Sequence, residues 1–377
     1  MIYLDNAATT FPKPQSVRRA AANSVMTMAN PGRSGHRPAM AAGEMIYRCR
    51  VKASEFFGAG SVENVIFTPG CTYSANMVIK GLLKSGDHAV VSDMEHNAVM
   101  RPMHTMSEKG VAYTIARTGE TDDETLASFR DALRSNTRLV ICTHVSNVWG
   151  QRLPVERIAA LCRQYGIPVM TDAAQSAGVF PINAEENGID FICAPAHKGL
   201  YGTMGTGILI ARHPELLKTI TEGGTGSGSL SLSQPDFPPD KFESGTPNVP
   251  GIAALSAGLD FVKQTGVERI HDHEVKLVTY LYDRLSKMSS ITLYTPRPNA
   301  MRNGGLLSFN VGNLSSEETA AYLFEKGIAV RAGLHCSPLA HRRYGTEKRG
   351  AVRISTSYFN TMNEMESAAR AISMIAR

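Results

Sequence analysis

The chain has 377 residues, of which 43% are hydrophobic and 19% are charged, and its net charge is +5. A chain of this length can bury a substantial core and form one large domain with a smaller one. The basic residues are scattered along the chain, which argues against nucleic acid binding and suits small anionic ligands. No apolar run approaches a membrane-spanning length, and the N-terminus lacks a signal-peptide pattern. We therefore expect a cytoplasmic protein that binds neither nucleic acid nor membranes.

Cysteine and histidine spacing gives no sign of a disulfide framework or a metal site. The cysteines are Cys49, Cys71, Cys142, Cys162, Cys193 and Cys336. They include no CxxC pair, which in a chain of this size is typical of reduced thiols. Four of them lie in apolar runs and are interpreted as core residues. The two histidines of "HDHE" (271–274) do not share a helix face, so we interpret them as solvated and predict no metal.

The predicted elements alternate regularly from about residue 64 onward. Strands are predicted at 64–68, 88–92, 111–116, 137–145, 168–172, 191–194 and 205–211, and helical patterns follow the first four of them. Near-continuous apolar strands separated by amphipathic helices indicate a mainly parallel sheet that is covered on both faces. The sequence therefore predicts an α/β fold with a mainly parallel seven-stranded sheet.

A Gly/Ser/Pro-rich segment at 223–251 interrupts this alternation, and its length marks it as a functional loop or a subunit contact. Two long helices are predicted after it, at about 251–265 and 267–288. A smaller set of strands and helices completes the chain and indicates a small α+β domain. We place residues 15–258 in the large domain, and residues 1–14 and 259–377 in the small one.

The stretch "APAHKGLYGTMGTG" (194–207) connects two strands of the buried type and contains Lys198. A single lysine is more often a solvated surface residue, but an unpaired ammonium between buried strands is costly. Asp172 ends the preceding predicted strand, where open α/β sheets bind their ligands. Together these residues suit pyridoxal 5′-phosphate. Its aldehyde forms a Schiff base with a lysine, and its protonated ring nitrogen pairs with a carboxylate.

Three further strand ends carry polar residues that suit the same cofactor. Cys71 and Thr72 open a helix after a glycine turn, where free N–H groups can bind phosphate. His96 could stack on the ring, and Asn147 could reach the phenolic oxygen. Taken alone, each has a plain structural interpretation, namely a helix cap, a surface histidine or a turn asparagine. It is their combination in one half of the chain that favours a cofactor site.

At this point the sequence resembles the class V aminotransferase superfamily, and within it the cysteine desulfurase and selenocysteine lyase family of fold-type I enzymes. The motifs that carry the resemblance are "YLDNAATT" (3–10), "NPGRSGH" (30–36), "FTPGCTYSAN" (67–76), "MEHNAV" (94–99), "THVSNVWG" (143–150), "TDAAQSAG" (171–178), "HKGLYG" (197–202), "FESGTPN" (242–248) and "RAGLHC" (331–336). They extend over nearly the whole chain. The short distance from Cys336 to Arg353 resembles the group II enzymes, whose cysteine loop is compact.

The resemblance implies roles around the cofactor. The implied cofactor-binding residues are Lys198, Asp172, Gln175, His96, Thr72, Cys71, His197, Asn147 and Thr246. Lys198 would form the Schiff base and move protons, assisted by His96, which would stack on the ring. Asp172 would pair with the ring nitrogen and Gln175 with the phenolic oxygen. Thr72 and His197 would hold the phosphate, and Thr246 would reach the phosphate of a second subunit, which implies a homodimer.

The resemblance also implies how the substrate is bound and how sulfur is removed. Arg353 would bind the substrate carboxylate, with Asn147 and Arg331 nearby, because a guanidinium can bind both oxygens. Cys336 would attack the substrate sulfur and become a persulfide, which releases alanine from L-cysteine. An unassisted thiol has a pKa of about 8.5 and is mostly protonated at neutral pH. His335 and Arg331 are therefore the candidates that would favour the thiolate.

Several alternatives remain open at this stage. The same machinery would suit a selenocysteine lyase that acts on L-selenocysteine, or another class V C–S lyase or epimerase in which Cys336 is structural. A dinucleotide-binding oxidoreductase is disfavoured because neither glycine-rich run fits G-x-G-x-x-G. Pro195, Asn97 and Ala173 depart from the family pattern. The identity of a protein that would accept sulfur or selenium from Cys336 is also open.

Overall fold

The computed structural model describes residues 1–32 and 34–376, so Arg33 of the "NPGRSGH" motif lies outside the described residues. The strands are β1 (Ile2–Tyr3), β2 (Val65–Thr68), β3 (His88–Ser92), β4 (Ala112–Ala116), β5 (Thr137–Thr143), β6 (Val169–Asp172), β7 (Phe191–Pro195), β8 (Gly207–Ala211), β9 (Ile291–Leu293), β10 (Leu306–Val311), β11 (Ile328–Ala329) and β12 (Val352–Ser355). The helices are α1 (Gln15–Thr27), α2 (Arg37–Phe57), α3 (Cys71–Leu82), α4 (Asn97–Glu108), α5 (Asp122–Ala132), α6 (Val155–Arg163), α7 (Ala184–Asn187), α8 (Val249–Thr265), α9 (Val267–Leu285), α10 (Ser316–Glu325), α11 (Pro338–Arg343) and α12 (Met362–Ile375).

The large sheet has seven strands in the order β2-β8-β7-β6-β5-β3-β4. Strands β7, β6, β5, β3 and β4 are parallel to one another, and β8 runs antiparallel to both β7 and β2. The sequence prediction of a mainly parallel seven-stranded sheet is confirmed. All the strands except β8 therefore have their carboxyl ends at one edge of the sheet, where ligands bind in open α/β folds.

Both faces of this sheet are buried, as the apolar strands predict. Along β5, Val140 and Cys142 pack into one core cluster, while Leu139 and Ile141 pack into the cluster on the opposite face. This alternation follows from the two-residue period of a strand. Because both faces are covered, the strands are held firmly, and the loops at their carboxyl ends are positioned by a rigid scaffold.

The C-terminal part of the chain forms a smaller antiparallel sheet in the order β12-β10-β9. Its apolar residues pack against α9 and α12 in a core of their own. The first strand of the chain joins this region, because β1 pairs in parallel with β11 through Ile2 and Ile328. The predicted domain boundary after residue 258 falls within α8. The division at 14/15 and 258/259 stays a prediction.

The N-terminal helices α1 and α2 were not predicted from the sequence, although α2 carries clear local signals. His36 caps its start by accepting the N–H of Ala39, and Gly58 ends it in a left-handed conformation. Residues 217–248 form neither helix nor strand, so the glycine-rich segment is irregular up to the start of α8. Within the described residues, the structure contains no helix long and apolar enough to cross a membrane.

Candidate active site

A cavity of about 650 Å³ opens at the carboxyl edge of the large sheet. This volume lies in the range of small-molecule and cofactor sites. Among the residues that line it are His96, Asp172, Lys198, Gln175, Thr72, Cys71, His197, Asn147, Arg353 and Arg331. The fold thus brings together the predicted site residues except Cys336 and Thr246. They converge because β2, β3, β5, β6, β7 and β12 all end or pass beside this cavity.

Lys198 and Asp172 form the centre of the cavity. Asp172 is the last residue of β6 and is buried, while Lys198 follows β7, the neighbouring parallel strand. Burial lowers the pKa of the Lys198 amine, and the guanidinium of Arg353 adds to this effect. The Asp172 carboxylate opposes it but does not cancel it. The amine therefore loses its proton more readily than an exposed lysine, which favours reaction with an aldehyde.

The loop that carries Lys198 is pressed against the loop that follows Asp172. A side chain at Gly178, whose φ is +83°, would place Cβ 2.2 Å from the Gly199 carbonyl oxygen. A side chain at Gly199 would place Cβ 2.4 Å from the Ala177 carbonyl oxygen. Only glycines allow this mutual approach. The spacing between the two loops, and so between Lys198 and Asp172, depends on both glycines.

His96 caps α4 and faces the same cavity. Its Nδ1 accepts the backbone N–H of Ala98 at 2.9 Å, which assigns the proton of the neutral ring to Nε2. Burial lowers the His96 pKa, and Lys198 contributes to this shift while Asp172 opposes it. A neutral imidazole that is fixed by its own helix therefore lines the cavity. That arrangement suits stacking on an aromatic ring.

Thr72 and His197 both line the cavity and carry groups that suit a phosphate. Thr72 is exposed in the first turn of α3, whose leading N–H groups lack partners within the helix. The Nδ1 atom of His197 is buried and has no partner among the described residues. Burial lowers the His197 pKa to about 4, so the ring is neutral at physiological pH.

Cys71 is positioned against the carboxylate of Asp172. Its Sγ lies 3.4 Å from both Asp172 Oδ1 and the Cys193 carbonyl, and its single proton is shared between these two acceptors. Burial raises its pKa well above the ordinary thiol value, with Asp172 adding to the effect. Cys71 is therefore a neutral hydrogen-bond donor. The sequence alone did not indicate this contact with Asp172.

Two amides were expected near the phenolic oxygen of the cofactor, and both already hold protein partners. Gln175 Nε2 donates to the Ala7 carbonyl at 3.0 Å. Asn147 Nδ2 donates to the His335 carbonyl at 2.7 Å, and its Oδ1 accepts the Ser337 hydroxyl, also at 2.7 Å. The Asn147 side chain is thus engaged on both sides with the segment that contains Cys336.

Arg353 lies fully buried on β12 with its guanidinium at the cavity. Its Nη2 donates to Asp5 Oδ1 at 2.9 Å and its Nη1 to the Asn147 carbonyl at 2.8 Å. Its Nε is buried and unpartnered within the described residues. Arg331 lies beside it, because the backbones of the two arginines pair as an antiparallel bridge. The two cations at one wall suit a carboxylate ligand.

Cys336 lies on an exposed loop just outside the cavity lining. It is the exposed cysteine of the six free thiols; the other five are buried, and they include the four predicted to lie in the core. His335 and Cys336 both have left-handed backbones, with φ of 49° and 58°. Each such non-glycine residue costs about 1–2 kcal/mol. The Cys336 carbonyl accepts the backbone N–H of Asn97 at 2.8 Å. Asn97 departs from the family pattern, but this contact involves only its main chain.

One prediction about Cys336 is wrong, because His335 cannot supply a positive charge to its thiolate. The His335 ring is buried, and its Nε2 donates to the Ala351 carbonyl at 3.0 Å. Burial lowers its pKa to about 2, and the neighbouring Arg353 adds to the shift. The ring is neutral at any physiological pH. Arg331 remains the candidate cation.

Thr246 and the "HDHE" stretch do not line the cavity that contains Lys198. Thr246 is exposed and lines a different cavity, of about 660 Å³, together with the glycine-rich segment. A role for it at a phosphate therefore requires a second copy of the chain. The interpretation of "HDHE" as solvated is wrong, because His271 and Glu274 are buried and His271 bonds to the Asn303 carbonyl. No cluster of metal-ligating side chains occurs among the described residues.

The N-terminal segment that precedes α1 makes contacts with the site that were not predicted from the sequence. Asp5 pairs with Arg353, the Ala7 carbonyl holds Gln175, and Lys13 Nζ donates to the His197 carbonyl at 2.7 Å. Burial lowers the Lys13 pKa to about 8. The motif "YLDNAATT" marked this segment as notable. Nothing in its spacing indicated which site residues it would contact.

The residues that line the cavity fit pyridoxal phosphate. A half-buried lysine with a lowered pKa, a buried carboxylate one strand away and a neutral histidine share one cavity of sufficient volume. The unpartnered Nδ1 of His197 and Nε of Arg353 are buried polar atoms that lack a partner. Such atoms are costly unless a ligand satisfies them. These residues could hold the aldehyde, ring and phosphate of the cofactor.

The family profile described as Aminotransferase class-V matches residues 2–367. The chain is 33% identical to a probable cysteine desulfurase of Methanothermobacter thermautotrophicus, over 100% of this chain and 94% of the relative. It is 35% identical to a probable cysteine desulfurase of Mycolicibacterium paratuberculosis, over 100% of this chain but only 55% of that longer protein. An apo cysteine desulfurase structure from Thermococcus onnurineus superposes with a TM-score of 0.92 at 30% identity, covering 99% of this chain and 94% of that one.

Proposed function

The chain belongs to the class-V aminotransferase family, as its motifs predicted, and from this premise we propose that it is a cysteine desulfurase. It would convert L-cysteine to L-alanine and retain the sulfur as a persulfide on Cys336. Class-V aminotransferases and cysteine desulfurases depend on pyridoxal 5′-phosphate, so this is the cofactor. The observation that carries the proposal is the convergence of Lys198, Asp172 and His96 on a cavity whose wall, at Asn147, is bonded to the Cys336 loop.

When bound, the cofactor supplies an electron sink for the substrate Cα. Asp172 would keep a proton on the ring nitrogen, and Cys71 contacts it through its Sγ. Lys198 would bind the cofactor and then accept and return protons, a role favoured by its lowered pKa. His96 would hold the ring from one face. Thr72 and His197 would hold the phosphate.

Arg353 and Arg331 would bind the substrate carboxylate. Arg353 is fixed by Asp5 and by the Asn147 carbonyl, so its guanidinium is already oriented before substrate arrives. Preorganisation of this kind reduces the entropy lost on binding. The proposal thus assigns the Asp5 contact a part in substrate binding, by fixing the angle of the arginine.

Cys336 would take sulfur directly from the substrate. Its thiolate would attack the substrate sulfur, the bond between that sulfur and Cβ would break, and its electron pair would remain on carbon. A proton then replaces the sulfur, which yields alanine and a Cys336 persulfide. Arg331 would be the cation that favours the thiolate. Exposure of the loop supports onward transfer of the sulfur to an acceptor protein.

We also propose that the enzyme acts as a homodimer. Leu230 and Leu232 of the glycine-rich segment are fully exposed, and Phe237 is 55% exposed. Such apolar side chains on one unstructured segment are costly in water and favour an interface. A second copy that covers this segment would bring Thr246 near the phosphate of its neighbour. Sedimentation analysis of Leu230→Asp/Leu232→Asp should show dissociation, whereas Leu216→Asp, outside the segment, should leave the dimer intact.

The experiment that tests the main proposal measures alanine release and mass spectra of the Cys336 peptide after incubation with L-cysteine. Persulfide should appear on Cys336, and Cys336→Ala should abolish it while retaining the visible absorption of the bound cofactor. Cys162→Ala, which removes a buried thiol, is the matched control. Unchanged alanine release by Cys336→Ala would show a C–S lyase with a structural Cys336. Parallel turnover of L-selenocysteine would identify a selenocysteine lyase if it far exceeds that of L-cysteine.

A further inference from the structure

Asn147 joins the cavity wall to both sides of Cys336. It follows β5, and its side chain is buried at the cavity. Its Nδ2 donates to the carbonyl of His335, and its Oδ1 accepts the hydroxyl of Ser337, each at 2.7 Å. One carboxamide thus binds the residue before the cysteine and the residue after it.

The backbone at Cys336 needs such a restraint. His335 and Cys336 are both left-handed, a conformation that persists only where surrounding contacts fix it. Other bonds assist, since Cys336 O accepts the Asn97 N–H at 2.8 Å and Ser337 N donates to the Leu334 carbonyl at 2.9 Å. The Asn147 side chain differs from these because it acts at two points of the loop at once.

Asn147 is in turn fixed by the arginine of the substrate site. Arg353 Nη1 donates to the Asn147 backbone carbonyl at 2.8 Å. The residue proposed to bind the substrate carboxylate therefore holds the residue that restrains the thiol loop. Hydrogen bonds thus connect Arg353 to Asn147, and Asn147 to the His335 carbonyl before Cys336 and to the Ser337 hydroxyl after it.

We infer that Asn147 is a positioning residue for the Cys336 thiol, in which its carboxamide fixes the loop in the geometry required for attack on the substrate sulfur. This inference rests on the proposed function of Cys336. It assigns the side chain of Asn147 to the thiol loop, whereas the motif alone suggested contact with the cofactor's phenolic oxygen. Substrate bound at Arg353 would reach a thiol that is already placed.

Hydrogen exchange of the cofactor-free protein tests the restraint without any catalysis. Asn147→Ala removes both side-chain bonds, and Ser337→Ala removes one without altering the cavity wall. Peptides that cover residues 331–341 should exchange about 10-fold faster in Asn147→Ala and by a smaller factor in Ser337→Ala. Asn360→Ala is the matched control, because it removes a buried carboxamide that donates to the Tyr3 carbonyl at 3.0 Å. It should leave those peptides unchanged.

The double variant Asn147→Ala/Ser337→Ala should exchange no faster than Asn147→Ala, because the Ser337 bond requires the Asn147 oxygen. In cofactor-loaded Ser337→Ala, single-turnover persulfide formation should slow several-fold while KM for L-cysteine and cofactor absorption stay unchanged. Unaltered exchange in both single variants, or faster exchange with an unchanged persulfide rate, would overturn the inference. Absence of persulfide from the unmodified enzyme would instead defeat the proposed function and leave the exchange result standing.

Discussion

The Lys198 cavity and the Cys336 loop are built in opposite ways. Lys198, Asp172 and His96 lie at the ends of strands whose both faces are buried, and burial shifts the pKa values of Lys198 and His96. Cys336 is exposed, and its backbone is left-handed at a position where L residues are strained. One region uses desolvation to tune its groups, and the other uses hydrogen bonds to hold an accessible thiol.

The difference reflects what each region has to do. Carbanion chemistry benefits from a dry site in which charges act strongly. A thiol that must pass sulfur to another molecule has to remain accessible. The proposed reaction joins the two by placing Asn147 between them, bonded to Arg353 on one side and to the thiol loop on the other.

The largest expected effect concerns Lys198 in the cavity. Lys198→Ala should reduce alanine release by at least about 10⁴-fold, because it removes both the covalent attachment and the proton carrier. Visible absorption should also be lost after dialysis. Lys218→Ala, an exposed lysine, serves as the control. Retained turnover in Lys198→Ala would show that the cavity does not carry the chemistry.

Glu95, beside His96, tests whether burial governs the cavity side. Burial raises its pKa to about 8, with Asp172 adding to the shift and a hydrogen bond from Ser92 opposing it. The folded pKa of Glu95 exceeds its unfolded value. The stabilisation that comes from protonated Glu95 is therefore fully present below the unfolded pKa and is lost as the pH rises through about 8. Glu95→Gln should remove this pH dependence. The free energy of unfolding of the variant minus that of the unmodified protein should therefore be about 4 kcal/mol larger at pH 9 than at pH 5.

Denaturant unfolding at several pH values measures this effect. Glu222→Gln, which alters an exposed carboxylate, is the control and should leave the pH dependence unchanged. The glutamine retains an acceptor for the Ser92 hydroxyl and the Thr143 N–H, so the variant changes mainly the ionisable group. An identical pH profile in Glu95→Gln would exclude Glu95 as the group that titrates.

Arg353 connects the two regions, and replacing it should weaken substrate binding more than chemistry. Arg353→Lys keeps the positive charge but loses the fork that contacts Asp5 and the Asn147 carbonyl. KM for L-cysteine should rise by about 10²-fold, with a smaller fall in kcat. Arg152→Lys provides the control outside the cavity. If steady-state kinetics show an unchanged KM, Arg353 does not bind the substrate carboxylate.

The smallest effect concerns the strained backbone of the thiol loop. Cys336→Gly and Cys336→Ala both lack the thiol, so they differ mainly in tolerance of φ near 58°. The glycine variant should have the higher free energy of unfolding, by about 1 kcal/mol, because glycine adopts the left-handed region without strain. Denaturant unfolding measures the difference. The opposite order would indicate that the loop relaxes once the thiol is removed.

Much of the fold and of the cavity was predictable from the sequence. The seven strands of the large sheet were located because buried strands form short apolar runs between amphipathic helices. Lys198, Asp172 and His96 were identified because each follows such a strand, and parallel strands end at one edge. Helix α2, by contrast, was not predicted, although His36 and Gly58 are capping signals at its two ends.

What only the tertiary structure decided is how groups distant in the chain modify one another. Asp5 is 348 residues from Arg353 and Asn147 is 190 from Ser337, so neither contact has a local pattern. The neutrality of His335 depends on burial by many surrounding atoms together with a nearby guanidinium. Local sequence fixes the chemical types and their order at the strand ends. Desolvation and long-range hydrogen bonds are sums over packed neighbours, and only the folded chain determines them.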